Sequence, residues 1–135
     1  MTTLNYQTPG NQPSKAAMWI GRILSTLAVL MLLFSASAKF FHPPGVLEGF
    51  DHLGWPRHMA LTLGIIEVTC AIIYAIPVTS VPGAILLTGY LGGAIATHLR
   101  IGEPQLVTGV ILGIVIWLGL FLREPRFRSL IPLRR

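Results

Sequence analysis

The chain has 135 residues, 53% hydrophobic and 11% charged, with a formal net charge of +5. Soluble domains carry roughly 25% charged residues, and a chain this short cannot hide so much apolar surface in one core. A soluble globular protein is therefore excluded, and the single cysteine, Cys70, excludes an intramolecular disulfide, a CxxC redox pair and a thiolate-held iron–sulfur cluster within one chain.

Residues 1–15, MTTLNYQTPGNQPSK, are polar with two prolines and read as a short flexible tail. A first apolar segment covers residues 16–41, and Pro43-Pro44 ends it. It carries Arg22 and Lys39 near its two ends, some 25 Å apart at about 1.5 Å per helical residue. Each can snorkel to an interface or reach inward. The basic start, apolar core and Ala36-Ser37-Ala38 also fit a cleaved signal peptide. The long polar lead and the apolar segments downstream favour a signal anchor.

The longest loop, residues 41–56, follows. A second apolar segment spans 57–76, with Pro56 suited to its first turn and Pro77 stopping it. A third spans 81–99 and a fourth 105–122, ahead of Pro125. Each reaches the ~17–25 residues that a transmembrane helix needs. The uncharged turn from Pro77 to Ser80 is so short that the second and third segments form an antiparallel hairpin. Residues 123–135 form a basic tail. The fold class is all-α, a four-helix transmembrane bundle.

Lys15, Arg22, Arg123, Arg126, Arg128, Arg134 and Arg135 fall at one face, and Lys39, Arg57 and Arg100 at the other. Seven against three places both termini in the cytoplasm. The charge thus describes topology and an anchor on anionic lipid. No nucleic-acid motif occurs.

Glu67 is the most informative residue. It is the only carboxylate in MALTLGIIEVTCAIIYAI, residues 59–76. An ionised carboxylate near the bilayer centre costs roughly 2.5–3.5 kcal/mol on insertion scales, and such residues mark function by default. Two readings fit: a proton-handling or ligand-binding carboxyl, or an interhelical bond that fixes packing. Arg22 and Lys39 are its candidate cations. His98 ends the third segment, near the depth of Lys39, where it can relay a proton, bond a ligand oxygen or sit at the interface. Tyr90 offers a hydroxyl or a packed ring. Gly89, Gly92 and Gly93 on the third segment, and Gly109 and Gly113 on the fourth, have the small-xxx-small spacing of close helix packing. Close approach to a flat ligand is the alternative for the third segment. His42, Glu48, Asp51, His52, His58, His98 and Glu103 gather toward the outer face. They lack an HxH or HExxH spacing, so no metal is expected, and no cofactor motif is evident.

The stretches SASAKFFHPPGVLEGFDHLGWP, GIIEVTCAIIYAIP, GAILLTGYLGGAIATHLRIGEP and WLGLFLREPRFR, in that order, resemble the DoxX-like family of small four-span membrane proteins. Lys39, Glu67, His98 and Arg22 fall on its pattern. The family takes its name from a subunit of a thiosulfate:quinone oxidoreductase. The resemblance implies a bacterial inner-membrane protein, an accessory oxidoreductase subunit without a catalytic motif of its own, and quinone or a lipid-like ligand between its helices. Membrane lipid, a homodimer or a membrane redox complex are the expected partners. A proton-coupled small-molecule transporter and a non-catalytic scaffold for soluble redox partners are the alternatives.

Overall fold

A computed structural model describes residues 14–130. Six helices occur among them and no strand: α1 (Lys15–Phe41), α2 (Val46–Leu53), α3 (Met59–Ala75), α4 (Ser80–Arg100), α5 (Leu106–Arg123) and α6 (Pro125–Leu130). Residues 1–13 of the expected tail, and Arg134 and Arg135, lie outside the described residues. Ser14 and Lys15 belong to α1: the Ser14 hydroxyl accepts from the Ala17 amide at 3.1 Å and caps the helix.

α1, α3, α4 and α5 form a square in which α1 packs on α3 and α5, and α4 packs on the same two. A 3-10 turn, Pro77–Thr79, joins α3 to α4 as the antiparallel hairpin that the short turn requires. α1, Pro77–Arg100 and α5 are each long and apolar enough to cross a membrane. α3, with 17 residues, is a shorter apolar helix. It starts at Met59 because residues 56–58 form a turn, with the Met59 amide bonded to Pro56 O at 3.0 Å. At its far end α5 stops at Arg123, and Pro125 opens α6.

The apolar faces point outward. Leu30, Phe34, Ile65, Ile85, Ile111 and Ile114 are all more than half exposed. The interior holds small and polar groups beside a few large ones: Ala28, Ala36, Ala71 and Ala84, with Leu32, Leu87, Ile116 and Leu120, then Ser25, Ser80 and Glu67. Lipid as solvent explains this distribution. Burying Leu against another helix gains little over burying it in acyl chains, so helices associate through close backbone approach and interior polar bonds. The chain is an integral membrane protein.

Close approach is made at glycines the spacing argument did not single out. A Cβ at Gly21 would stand 2.7 Å from the Arg123 amide nitrogen and 2.8 Å from Gly119 O; one at Gly119 would stand 2.7 Å from Ser25 Oγ. These lock α1 to α5. Gly83 lets α4 lie against the backbone of α3 at Tyr74. Tyr74, fully buried, then bridges the helices: Ser25 donates to its hydroxyl at 2.9 Å, which donates to Ile116 O at 2.8 Å. Arg123 closes this end, with Nη2 donating to Tyr74 O at 3.0 Å and the guanidinium 5.0 Å from the Tyr74 ring centroid.

The opposite end is closed by α2, a helix inside the expected 41–56 loop. Val46, Phe50 and Leu53 stand at i, i+4 and i+7, so one face is apolar. Glycines in the left-handed region bracket it, Gly45 at φ 93° and Gly54 at φ 78°. Only Gly adopts these angles cheaply, which is why the chain turns sharply at both ends of so short a helix.

Candidate functional site

α2 roofs a cavity of about 640 Å³ between the four long helices. Its position follows from α4. Gly89, Tyr90, Gly93, Ala94, Thr97 and His98 recur on one face of that helix and line the space. An added Cβ at Gly89 or Gly93 meets nothing within 4 Å. These glycines open the cavity and close no helix contact. Gly92 likewise has no neighbour within that distance, and it lines a shallow outer groove with Gly113 and Trp117. Gly109 alone of the five singled-out glycines is tightly packed: an added Cβ there would stand 2.8 Å from Ile95 Cγ1. At Gly113 an added Cβ would make an ordinary contact, 3.9 Å from Leu91 Cδ1.

The cavity wall is mainly apolar. Met31 from α1, Leu63 from α3, Leu106 and Leu112 from α5, and Phe50 and Trp55 from the roof contribute to it. Its deepest polar feature is the Lys39–Glu67 ion pair, Nζ to Oε2 at 2.7 Å, with side chains 16% and 3% exposed. Helical side chains tilt toward their own N-terminus. Lys39 near the end of α1 therefore reaches back over Ser35, donating to Ser35 Oγ at 2.8 Å and, more weakly, Ser35 O at 3.4 Å. Glu67, on the antiparallel α3, tilts up to meet it. Gly64 admits the Lys39 stem, since a Cβ there would lie 3.2 Å from Lys39 Cβ. The Tyr90 hydroxyl donates to the same Glu67 Oε2 at 3.2 Å.

Lys39, Glu67 and Tyr90 thus come together and share the cavity with His98. Arg22 does not join them. It is exposed near the start of α1, its guanidinium 5.5 Å from the Trp19 ring centroid, too far along the helix to reach Glu67. As a cation for Glu67 it is replaced by Lys39.

A second polar cluster forms the rim. Glu103 Oε2 lies 3.0 Å from His98 Nδ1, and Oε1 lies 2.6 Å from the exposed His52 Nε2 on α2. The hydrogen bond from His98 is the main cause holding the Glu103 carboxyl below its ordinary range; burial opposes it and His52 adds to it. Arg100 donates to Leu53 O, tying α4 to the end of α2. Arg57 grips Asp51 through Nε and Nη2, at 2.6–3.1 Å, and that hydrogen bond lowers the Asp51 carboxyl in turn. Composition and spacing place His52 and Glu103 only at the outer face and do not single out Trp55. The i, i+4, i+7 pattern of Val46, Phe50 and Leu53 was the signal for the roof that unites them. No group of three His, Cys, Asp or Glu side chains suited to a metal occurs among the described residues.

The sequence profile of the DoxX-like family matches residues 23–120. Neither a curated protein nor a solved structure matches significantly. The matched segment holds Lys39, Glu67, Tyr90, His98 and the whole roof, and the chain belongs to the DoxX-like family.

Proposed function

We propose that this DoxX-like protein is a four-span protein of a bacterial inner membrane, with both termini cytoplasmic, that holds an apolar molecule with a small polar head between its helices. A quinone or similar lipid-like molecule is the ligand class. The protein would serve as a small subunit of a membrane oxidoreductase system. The cavity carries the reading. At about 640 Å³ it lies within the roughly 300–1,000 Å³ of small-molecule sites, which combine apolar walls with a few placed polar groups. The Lys39–Glu67 pair is neutral as a unit, which suits an uncharged head.

Supporting four spans, α3 is about 25 Å long at 1.5 Å per residue and lies alongside α1 and α4. Its outward residues, Leu61, Ile65, Ile66 and Ile72, are apolar. Supporting the orientation, Lys15, Arg22, Arg123, Arg126 and Arg128 lie at the end opposite α2.

The test is purification in mild detergent, with mass spectrometry of co-purified lipids and quinones. Wild type is compared with Gly93→Leu, which fills the cavity from a position where a side chain meets nothing within 4 Å. A quinone or lipid enriched with wild type and lost with Gly93→Leu supports the proposal. Identical profiles from folded protein reject it.

A further inference from the structure

The hydrogen bonds of the cavity are unevenly spent. Lys39 has three N–H groups, and its contacts with Glu67 Oε2, Ser35 Oγ and Ser35 O engage all three. Tyr90 uses its one hydrogen on the same Glu67 oxygen. Glu67 Oε1 receives no hydrogen bond from any described residue. What exposure the Glu67 side chain retains is on the cavity wall. At this depth the donors are committed to one carboxylate oxygen, Oε2, which leaves Oε1 of this cavity-lining residue as the acceptor without a donor among the described residues. The Ser35 hydroxyl is the donor left over beside the ion pair; the cavity's other uncommitted side-chain donors, Trp55, Gln105 and Thr108, belong to the roof segment and the start of α5, and all are uncharged.

The rim repeats the pattern. Glu103 can only accept while ionised, so a neutral His98 ring would carry its hydrogen on Nδ1, facing the carboxylate at 3.0 Å. That assignment leaves Nε2 as a lone-pair acceptor on a side chain that lines the cavity.

We infer that the site selects a ligand bearing a hydroxyl donor, a hydroquinone, phenol or long-chain alcohol, over the matching carbonyl compound. The inference rests on the cavity reading above. A hydroxyl donates to Glu67 Oε1 in a charge-assisted bond, whereas a carbonyl oxygen there sets lone pair against lone pair. For a quinone couple, the reduced form is the one retained.

Binding is measured by ultrafiltration with mass-spectrometric quantitation, which is indifferent to the ligand's optical spectrum. The probes are a short-chain ubiquinone analogue, its quinol kept under argon, and the quinol's dimethyl ether, which keeps the ring and loses both donors. Partition into detergent is subtracted with Gly93→Leu. Expected is a quinol affinity at least about tenfold above the quinone, or 1.4 kcal/mol, with the ether no tighter than the quinone. Glu67→Gln, whose amide both donates and accepts, should bring the ratio near one. Equal affinities, or tighter quinone binding, in wild type overturn the inference and leave the cavity reading standing. No binding of any probe above the Gly93→Leu background overturns both. The wild-type ratio decides the matter even where Glu67→Gln fails to fold.

Discussion

Lys39→Met tests whether the Lys39–Glu67 pair is desolvated as the geometry implies. Two unit charges 2.7 Å apart attract by about 6 kcal/mol at an effective dielectric of about 20. The desolvation of each ion, several kcal/mol, offsets most of that. The net worth of the pair is small, but the two halves are not equivalent when separated. Removing Lys39 leaves a carboxylate that is 3% exposed with the Tyr90 hydroxyl, at 3.2 Å, as its remaining donor. Removing one partner of a buried pair costs about 3–5 kcal/mol. Met keeps the length of the lysine stem, so lost packing adds little. The double variant Lys39→Met/Glu67→Gln removes both charges and should recover most of the loss, ending within about 2 kcal/mol of wild type. The assay is unfolding in mixed micelles by SDS titration, followed by far-UV circular dichroism. A Lys39→Met cost under about 1 kcal/mol, the range of exposed pairs, would refute the reasoning. So would a double variant no more stable than the single.

Other expectations follow from the same contacts. Gly83→Ala forces its new Cβ into the α3 backbone at Tyr74 and should cost at least about 1–3 kcal/mol, whereas Gly92→Ala, with open space, should leave the SDS midpoint close to wild type. Tyr74→Phe strands the Ser25 hydroxyl in the α1–α3 contact and should cost about 1–3 kcal/mol in the same titration. The Glu103 carboxyl is held below its ordinary range, so the folded protein takes up this proton less readily than the unfolded one. The stabilisation is complete above the ordinary carboxylate value of about 4.3 and is lost as pH falls through the lower folded value. A melting temperature flat from about pH 7 to 5 and declining below about 4 is expected, with a smaller decline in Glu103→Gln. A decline of unchanged size in that variant would count against the His98–Glu103–His52 cluster. Trp55 lines the cavity while Trp19 lies more than half exposed near the start of α1. Quenching by a brominated long-chain alcohol should therefore lose its saturable component in Trp55→Phe.

What could be read from the chain was set by the range over which each signal acts. The long helices are written in unbroken apolar runs and prolines, which are local, and the expected bounds of 81–99 and 105–122 fall within a residue of α4 and α5. Glu67 was legible because one charge contradicts its own neighbourhood. Its partner was not. Arg22 and Lys39 are both plausible from composition, and the choice depends on helix direction, which tilts Lys39 toward the midplane. The glycines show the same limit more sharply. GxxxG at Gly89 and Gly93 has the spacing of a packing motif. Spacing fixes that two glycines share a face but leaves open whether a helix or a cavity lies opposite. Gly21, Gly83 and Gly119, which bring helix backbones together, stand in no GxxxG, and of the glycines that do, Gly109 is the tightly packed one. α2 was obscured by length, since eight residues between glycines resemble a loop until the period of Val46, Phe50 and Leu53 is counted.

The two readings of Glu67 can now be weighed on the protein's own alternatives. At the end of the bundle opposite α2, α1, α3 and α5 are joined by Ser25, Tyr74 and the Ile116 carbonyl, with Arg123 donating to Tyr74 O and no carboxylate involved. Glycines where an added Cβ would come within 3.0 Å of a neighbouring helix, Gly21, Gly83 and Gly119, complete the joint. Fixing these helices therefore needs no ion pair. A buried ion pair is a costly way to secure packing, because hydrophobic replacements of similar volume are often as stable or more so. Lys39 and Glu67 also stand where packing is least complete, on the wall of the cavity under α2. Glycines on the facing helix keep that space open. A pair retained for packing would be expected inside the tightest contact. A pair retained for a ligand would be expected at the edge of a space, with one oxygen committed to the protein and one turned outward. Glu67 has Oε2 committed to Lys39 and Tyr90 and lines the space that α2, Gly89 and Gly93 jointly create, which supports the proposed ligand site over a purely packing role.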